Sequence, residues 1–370
     1  MRNPICLAGT EKIHHFFGEP PLMSASVRIT KSCNLSCRHC YANSIKRKDS
    51  EHELTLAELE RIISEIADLG AMEVFFTGGE PLTRKDDLVE LLHRANQLGL
   101  NVLMSSNGVA VEDDFLRRVS DINFKLFQIS LDGPQTVHDK IRGPNTFDSA
   151  LGAIESAAQI IGGNIAVGSV LMSQSADTLH EVLPLAVEHG ATVFALMLVI
   201  IGGRATLELE PDPLKQKQCL DRVFDSYRRL EGRIRFASNT TLPPALVPAD
   251  LRSKGLHLQF ALCSFPYIIG IESDGMVAPC DGFFNSPECI AGNAKRSSIV
   301  DIWLGSEVMR EVRRIEPRDL TGVCSACIYN EYCAGGCRAA AYLRSGKLTT
   351  PDPVCESFYE AGIFPKDCLR

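Results

Sequence analysis

The sequence predicts an α/β protein built on a parallel sheet, followed by a smaller region rich in loops and cysteine. Two observations predict it. Short β-rich runs alternate with amphipathic helical stretches over residues 25–230. After Leu230 the long helices give way to proline, glycine, short apolar pieces and most of the cysteines. Regular β/α alternation with short connections implies parallel strands and crossover helices. Six such units in about 200 residues fit a partial (β/α)6 TIM-like barrel, although periodicity does not separate this from a doubly wound sheet.

Residues 1–23 read as an irregular lead-in. A first strand over 25–30 runs into the cysteine loop described below. Thr55 and Glu58 then form a capping box, and Leu59, Ile62, Ile63, Ile66 and Leu69 make one apolar helix face that stops at Gly70. A strand over 73–77 follows. Leu88, Leu91, Leu92, Ala95 and Leu98 mark a second helix ended by Gly99, before a third strand over 101–105. The alternation continues with strand 125–131, helix 147–161, strand 165–172, helix 178–189, strand 193–200 and a helix over 213–230. The domains are expected to be a core over 24–215, a bridge over 216–262, a cysteine-rich domain over 263–360 and a tail over 361–370. The cysteine-rich part has little apolar core of its own and is expected to need metal to fold.

At 370 residues, 45% hydrophobic and 23% charged, the chain reads as a soluble globular protein. A net charge of -8 gives no general electrostatic reason to bind nucleic acid. Arg38, Lys46, Arg47 and Lys48 form a local basic cluster that could meet an anionic substrate group, with a solvated face the preferred reading. The start lacks the apolar core of a signal peptide, and the longest apolar run, 193–201, is too short to span a bilayer. Fourteen cysteines without an export signal point to metal or redox work in a reducing compartment, so a cytoplasmic address is expected, with no membrane partner.

Cys33, Cys37 and Cys40 stand at x3 and x2 spacing directly after the first strand. Thiolates suit iron because both partners are soft, and three of them can hold three irons of a cubane while the fourth lacks a protein ligand. A zinc knuckle would want a fourth ligand nearby, and none lies there. Thr77-Gly78-Gly79-Glu80-Pro81 ends the second strand, where glycines allow close backbone approach and a carboxylate can accept from an amine. Asn107 in Ser105-Ser106-Asn107-Gly108 and Ser130 in Ser130-Leu131-Asp132-Gly133 end the next two strands. They read either as ribose contacts or as turn residues. Arg142 follows in a loop and could equally make a structural salt bridge. Gly168 on the fifth strand could pass close to a flat ring.

The second cysteine set reads Cys263-x11-Gly275-x4-Cys280, then Cys324-x2-Cys327-x5-Cys333-x3-Cys337, then Cys355. A zinc ribbon would account for Cys324, Cys327, Cys333 and Cys337 as a closed tetrahedron, leaving the others unexplained. Cys289 lies off this pattern, and Cys6, Cys219 and Cys368 read as ordinary thiols. Asp281, directly after Cys280, reads on its own as an exposed turn residue before glycine.

The x3, x2 cysteine motif with Gly78-Gly79-Glu80-Pro81 resembles the radical S-adenosylmethionine (SAM) superfamily, and the second set resembles its SPASM domain. The resemblance implies a partial barrel and three 4Fe-4S clusters. Cys33, Cys37 and Cys40 would hold the SAM-binding cluster, with Thr77, Gly78, Gly79 and Glu80 at the SAM amine, Asn107 and Ser130 at the ribose, and Arg142 at the carboxylate. Cys324, Cys327, Cys333 and Cys355 would hold an outer auxiliary cluster, and Cys263, Cys280 and Cys337 an inner one. Fully ligated members carry a further cysteine shortly after the position of Cys263, where this chain has Ser264 to Gly270, so the inner cluster is expected to have an open iron or to take a carboxylate or Cys289. Asp281 would be the base, and a flavodoxin- or ferredoxin-type donor would supply electrons.

The implied function is oxidation of a substrate radical through the auxiliary clusters, with dehydrogenation of a small biosynthetic intermediate preferred. Maturation of a ribosomal peptide or protein side chain is the alternative. It ranks second because the lead-in is too short to be a leader-binding domain of the kind some such members carry. A non-enzymatic iron-sulfur carrier is a third reading, opposed by the intact Gly-Gly-Glu-Pro motif.

Overall fold

The computed structural model describes residues 20–45, 52–230, 232–238, 242–255 and 265–370. Cys6, Lys46, Arg47, Lys48 and Cys263 lie outside them. The described strands form one sheet: β1 (Ser24–Arg28), β2 (Glu73–Thr77), β3 (Asn101–Ser106), β4 (Phe124–Ser130), β5 (Ile165–Leu171), β6 (Val193–Leu198), β7 (Arg235–Ser238), β8 (Ile268–Ile271), β9 (Met276–Ala278) and β10 (Gly292–Asn293). Their order is β10-β9-β8-β1-β2-β3-β4-β5-β6-β7. β1 to β7 are parallel to their neighbours. β8 lies parallel against the other side of β1, with Ser24 opposite Ile268, and the hairpin of β8, β9 and β10 is antiparallel.

The six expected strands are β1 to β6. The structure adds β7, within the stretch read as a bridge, and β8, whose four residues were too short for a periodic signal. The cysteine-rich region also holds more helix than its loop-rich reading allowed, in pieces such as Ile299–Gly305, Glu307–Arg313, Arg338–Ser345 and Pro353–Glu360. None exceeds eight residues, which is little over two turns and leaves no clear period in the sequence.

Alternation along the strands sorts the two faces of the sheet. Ala25, Val27, Ile29, Val74, Phe76, Phe127, Ile129 and Val167 join the helices in the main apolar core. On the other face Leu126, Ala166 and Val193 pack separately, with Leu103 and Ala237 against them. Helix Leu56–Asp68 starts as expected: the Thr55 amide donates to Glu58 Oε2 at 2.7 Å and the Glu58 amide to Thr55 Oγ1 at 3.3 Å. Among the described residues no helix is long and apolar enough to cross a membrane.

Candidate iron-sulfur and SAM site

The loop after β1 closes on itself before it reaches the first helix. The Cys33 amide donates to the Ile45 carbonyl at 2.8 Å and the Ile45 amide to the Lys31 carbonyl at 3.0 Å. Cys33 and Cys37 are buried and Cys40 is half-buried. Each thiol lies within electrostatic reach of the other two. Burial pushes the Cys33 thiol up to about 11, against the Leu35 amide that donates to its sulfur at 3.4 Å. Burial also raises Cys37. At Cys40 burial is outweighed by hydrogen bonds from Ser44 and by the charge of Arg204, so this thiol falls below its ordinary value. Among the described residues no three His, Cys, Asp or Glu side chains gather closely enough to share one metal ion. A cubane places each thiolate on its own iron, so three soft donors on one closed loop fit a cluster without converging on a single point.

The glycines of the β2 turn are needed for a reason the sequence did not reveal. A Cβ on Gly78 would stand 2.6 Å from the Thr30 carbonyl oxygen, and one on Gly79 would stand 2.2 Å from that of Ser32. The turn therefore lies directly against the chain entering the cysteine loop, with the Gly79 amide donating to Thr30 at 2.7 Å. Thr77 ends β2, and its carbonyl accepts from the Ile29 amide at 3.0 Å. Glu80 is 1% exposed and both its oxygens are engaged: Oε1 by the Ser106 hydroxyl at 2.8 Å and the Leu82 amide at 3.3 Å, Oε2 by the Asn107 amide at 2.8 Å. Burial raises its pKa even so. Its carboxylate thus ties β2 to β3. Asn107 in turn donates to Asn34 at 2.6 Å and reaches Cys33 Sγ at 3.9 Å, while Ser130 is buried at the end of β4. Beside Gly168, the space a Cβ would take is filled by the Gln128 side chain, 2.5 Å away.

Arg142 forms a buried ion pair with Asp132, Nε to Oδ2 at 2.6 Å, and its Nη2 lies 3.5 Å from His39 Nε2. Asp132, in a segment read as ribose contact or turn, is fully buried and also accepts the Val170 amide at 2.8 Å. Burial would raise its pKa, but Arg142 and His39 outweigh that and lower it. Burial, then Arg142, pushes His138 down to about 4, so its ring is neutral near pH 7. That neutral Nδ1 accepts the Asp132 amide at 3.1 Å.

Asp281 faces β1 from the second region. Ser26 Oγ donates to its Oδ2 at 2.8 Å, and Arg28 Nε stands 3.8 Å from the same oxygen. Arg28 is paired with Glu272 at 2.8 Å and stacks on Tyr41 and Phe284. Burial raises the Asp281 pKa, with Arg28 and Ser26 opposing. Its Oδ1 has no partner at hydrogen-bonding geometry among the described residues, although the Tyr41 hydroxyl is near enough to favour the charged form. Since Tyr41 follows Cys40, Asp281 stands beside the cysteine loop.

Cys324, Cys327, Cys333 and Cys355 line one cavity together with Gly335, Gly336 and Asp352. Cys355 feels the charge of the other three, and burial raises it well above its ordinary value. Backbone amides of Asp352, Tyr329 and Gly336 donate to the sulfurs of Cys324, Cys327 and Cys333 at 3.4, 3.4 and 3.2 Å. Those donors suit thiolates better than thiols, which fits a bound cluster. Cys337 packs with Cys289, Phe283 and Ala278, and Cys280 lies against this group. Cys368, read as an ordinary thiol, is held by Arg252 Nη1 at 2.6 Å, and the tail pairs with the second cysteine set through a bridge between Leu369 and Cys327.

Sequence reasoning missed Arg204 altogether. It follows β6 and reaches back to the first cysteine loop, Nε donating to the Cys37 carbonyl and the backbone amide to that of Cys40, both at 3.0 Å. The only sequence cue is Gly202-Gly203 before it. Gly203 has φ +57, and a Cβ there would stand 2.5 Å from the Tyr41 carbonyl.

Known proteins resemble this chain over most of its length. The radical SAM superfamily profile matches residues 27–186, and that of the SPASM iron-sulfur cluster-binding domain matches 263–328. The mycofactocin maturase MftC of Mycolicibacterium smegmatis is 31% identical over 348 residues, spanning 92% of this chain and 84% of that protein. The AdoMet-dependent heme synthase of Methanosarcina barkeri is 26% identical over 341 residues, 88% of this chain and 94% of that one. Among solved structures, Streptococcus suis SuiB bound to S-adenosylmethionine superposes with a TM-score of 0.73 at 18% identity, over 94% of this chain and 80% of SuiB. Native anSMEcpe with bound AdoMet gives 0.70 at 18% identity, over 91% and 95%. At those identities the likeness shows the fold, a partial barrel. The chain therefore belongs to the radical SAM superfamily, in its SPASM branch, whose cofactors are a SAM-binding 4Fe-4S cluster, auxiliary clusters and SAM itself.

Proposed function

We propose that this protein is an oxidoreductase that removes a hydrogen atom and then an electron from a small biosynthetic intermediate, with an alcohol as the preferred class and Asp281 as proton acceptor. The observation that carries this reading is the position of Asp281. It is one residue from Cys280, its side chain is 14% exposed, burial raises its pKa, and its Oδ1 makes no hydrogen bond of good geometry among the described residues. Cys33, Cys37 and Cys40 would hold the SAM-binding cluster, and Cys324, Cys327, Cys333 and Cys355 the outer auxiliary one. Cys280 and Cys337 would hold the inner one with Cys263. When bound, the first cluster supplies the electron that cleaves SAM to methionine and the 5'-deoxyadenosyl radical that takes the substrate hydrogen. Asn107, joined to Asn34 and Cys33 in the cysteine loop, and Ser130, buried at the end of β4, would orient the ribose. Arg142, held by Asp132, presents its charge to the same loop and would face the SAM carboxylate. A flavodoxin- or ferredoxin-type protein would deliver the electron.

Maturation of a peptide or side chain is the second reading, favoured by the 31% match to a maturase over most of the chain. Reconstituted protein incubated anaerobically with dithionite, SAM and deuterated cell extract tests both. Deuterium reaching 5'-deoxyadenosine from the small-molecule fraction supports the first reading, and deuterium from the peptide fraction replaces it with the second. Asp281→Asn keeps the shape without the basic oxygen. It is expected to keep SAM cleavage and lose product on the order of a hundredfold. Wild-type product yield would remove Asp281 from the reaction.

A further inference from the structure

The three thiols after β1 have different surroundings, and one of them faces a hydroxyl. Ser44 Oγ lies 3.3 Å from Cys40 Sγ, a pair in which distance alone leaves the donor open. Arg204 decides it. Its Nη2 lies 3.4 Å from the same Oγ, and a guanidinium can only donate. With a lone pair of Ser44 turned to Arg204, the hydroxyl hydrogen is free to point at the sulfur, and a thiolate there can only accept. Ser44 is 5% exposed, so water does not compete readily for that hydrogen.

Arg204 is itself fixed on the loop that it orients. Its Nε and backbone amide hold the Cys37 and Cys40 carbonyls, and Nη1 holds the Ser44 carbonyl. All of these acceptors belong to the loop with the three thiols, and all of the donors come from the segment after β6. Glu210, further along that segment, pairs with Arg344 on helix Arg338–Ser345, so the strap is anchored at both ends.

We propose that Ser44, oriented by Arg204, donates a hydrogen bond to the Cys40 sulfur and raises the reduction potential of the cluster on this loop. The proposal rests on the reading of Cys33, Cys37 and Cys40 as that cluster's ligands. A hydrogen bond to a ligand sulfur draws charge from it and favours the state with the additional electron. One electron is added from an external low-potential donor, and no bond forms or breaks. Ser44 and Arg204 are positioning and tuning residues, since neither reaches the substrate.

Anaerobic redox titration of the full-length holoprotein with dithionite, followed by electron paramagnetic resonance, tests this. The signal that shifts when SAM is added identifies the relevant cluster among the three. Ser44→Ala is expected to keep its iron and its SAM-responsive signal, with the reduction equilibrium about tenfold less favourable, or about 59 mV lower for one electron. Ser44→Thr, which keeps a hydroxyl, is expected within about twofold of wild type on the same scale. Arg204→Lys keeps the charge without the fork and is expected to move in the same direction as Ser44→Ala. An unchanged potential in fully loaded Ser44→Ala, an equal shift in Ser44→Thr, or loss of iron from Ser44→Ala would overturn the proposal. A wild-type protein with no SAM-responsive signal would instead sink the assignment of the three cysteines.

Discussion

Cys33, Cys37 and Cys40 are each expected to be indispensable, because a tripod of three thiolates has no spare leg. Alanine at any one of them should abolish 5'-deoxyadenosine formation, and cleavage retained in all three variants would disprove their role. His138 offers a test that involves no metal. Its folded pKa of about 4 lies below the ordinary 6.5, so as pH falls through that window the unfolded chain takes up a proton before the folded one does. Stability then declines with falling pH, by roughly 1.5 kcal/mol between pH 6.5 and 5. Urea unfolding at the two pH values should show this slope, and His138→Asn should flatten it. The cysteine spacing was legible in the sequence because the ligands are local. The partnership of Asp132, Arg142 and His39 was not, since His39 and Arg142 are 103 positions apart and meet only when the sheet closes.

At the scale of elements, β1 to β6 and the Thr55 capping box were legible because their periods and caps extend over many residues. The reason for Gly78 and Gly79 was not, because it lies in the approach of a neighbouring segment. Gly79→Ala would force the Ser32 carbonyl aside and displace the cysteine loop, a cost of about 1–3 kcal/mol by analogy with overpacked cores. The expected result is lost iron and a lowered melting temperature. Gly70 has φ +79 but nothing within 4 Å of its missing Cβ. Gly70→Ala should therefore cost only the backbone strain, about 1–2 kcal/mol, and keep its iron. Equal iron content in the two variants would show that the contact with Ser32 is not what matters.

Across the whole molecule, the apolar core of the barrel continues into the region after Asn293 through Ile299, Trp303, Met309 and Phe358, but that region also buries several cysteines, Cys324, Cys327, Cys337 and Cys355 among them. Removing iron takes from those thiols the metal that would hold them together among short helices, so chelation should loosen 320–360 while the barrel persists. Limited proteolysis should then cut first in that segment, and cleavage spread evenly over the chain would contradict this. The division of the sequence into two regions hides one further dependence. β8 covers the open side of β1, so a chain ending near residue 262 would leave the five residues Ser24–Arg28 with a bare row of amides and carbonyls. A flat parallel strand with such an edge recruits other chains. Expressing the first region alone should yield aggregates, and the later region therefore protects the protein against self-association.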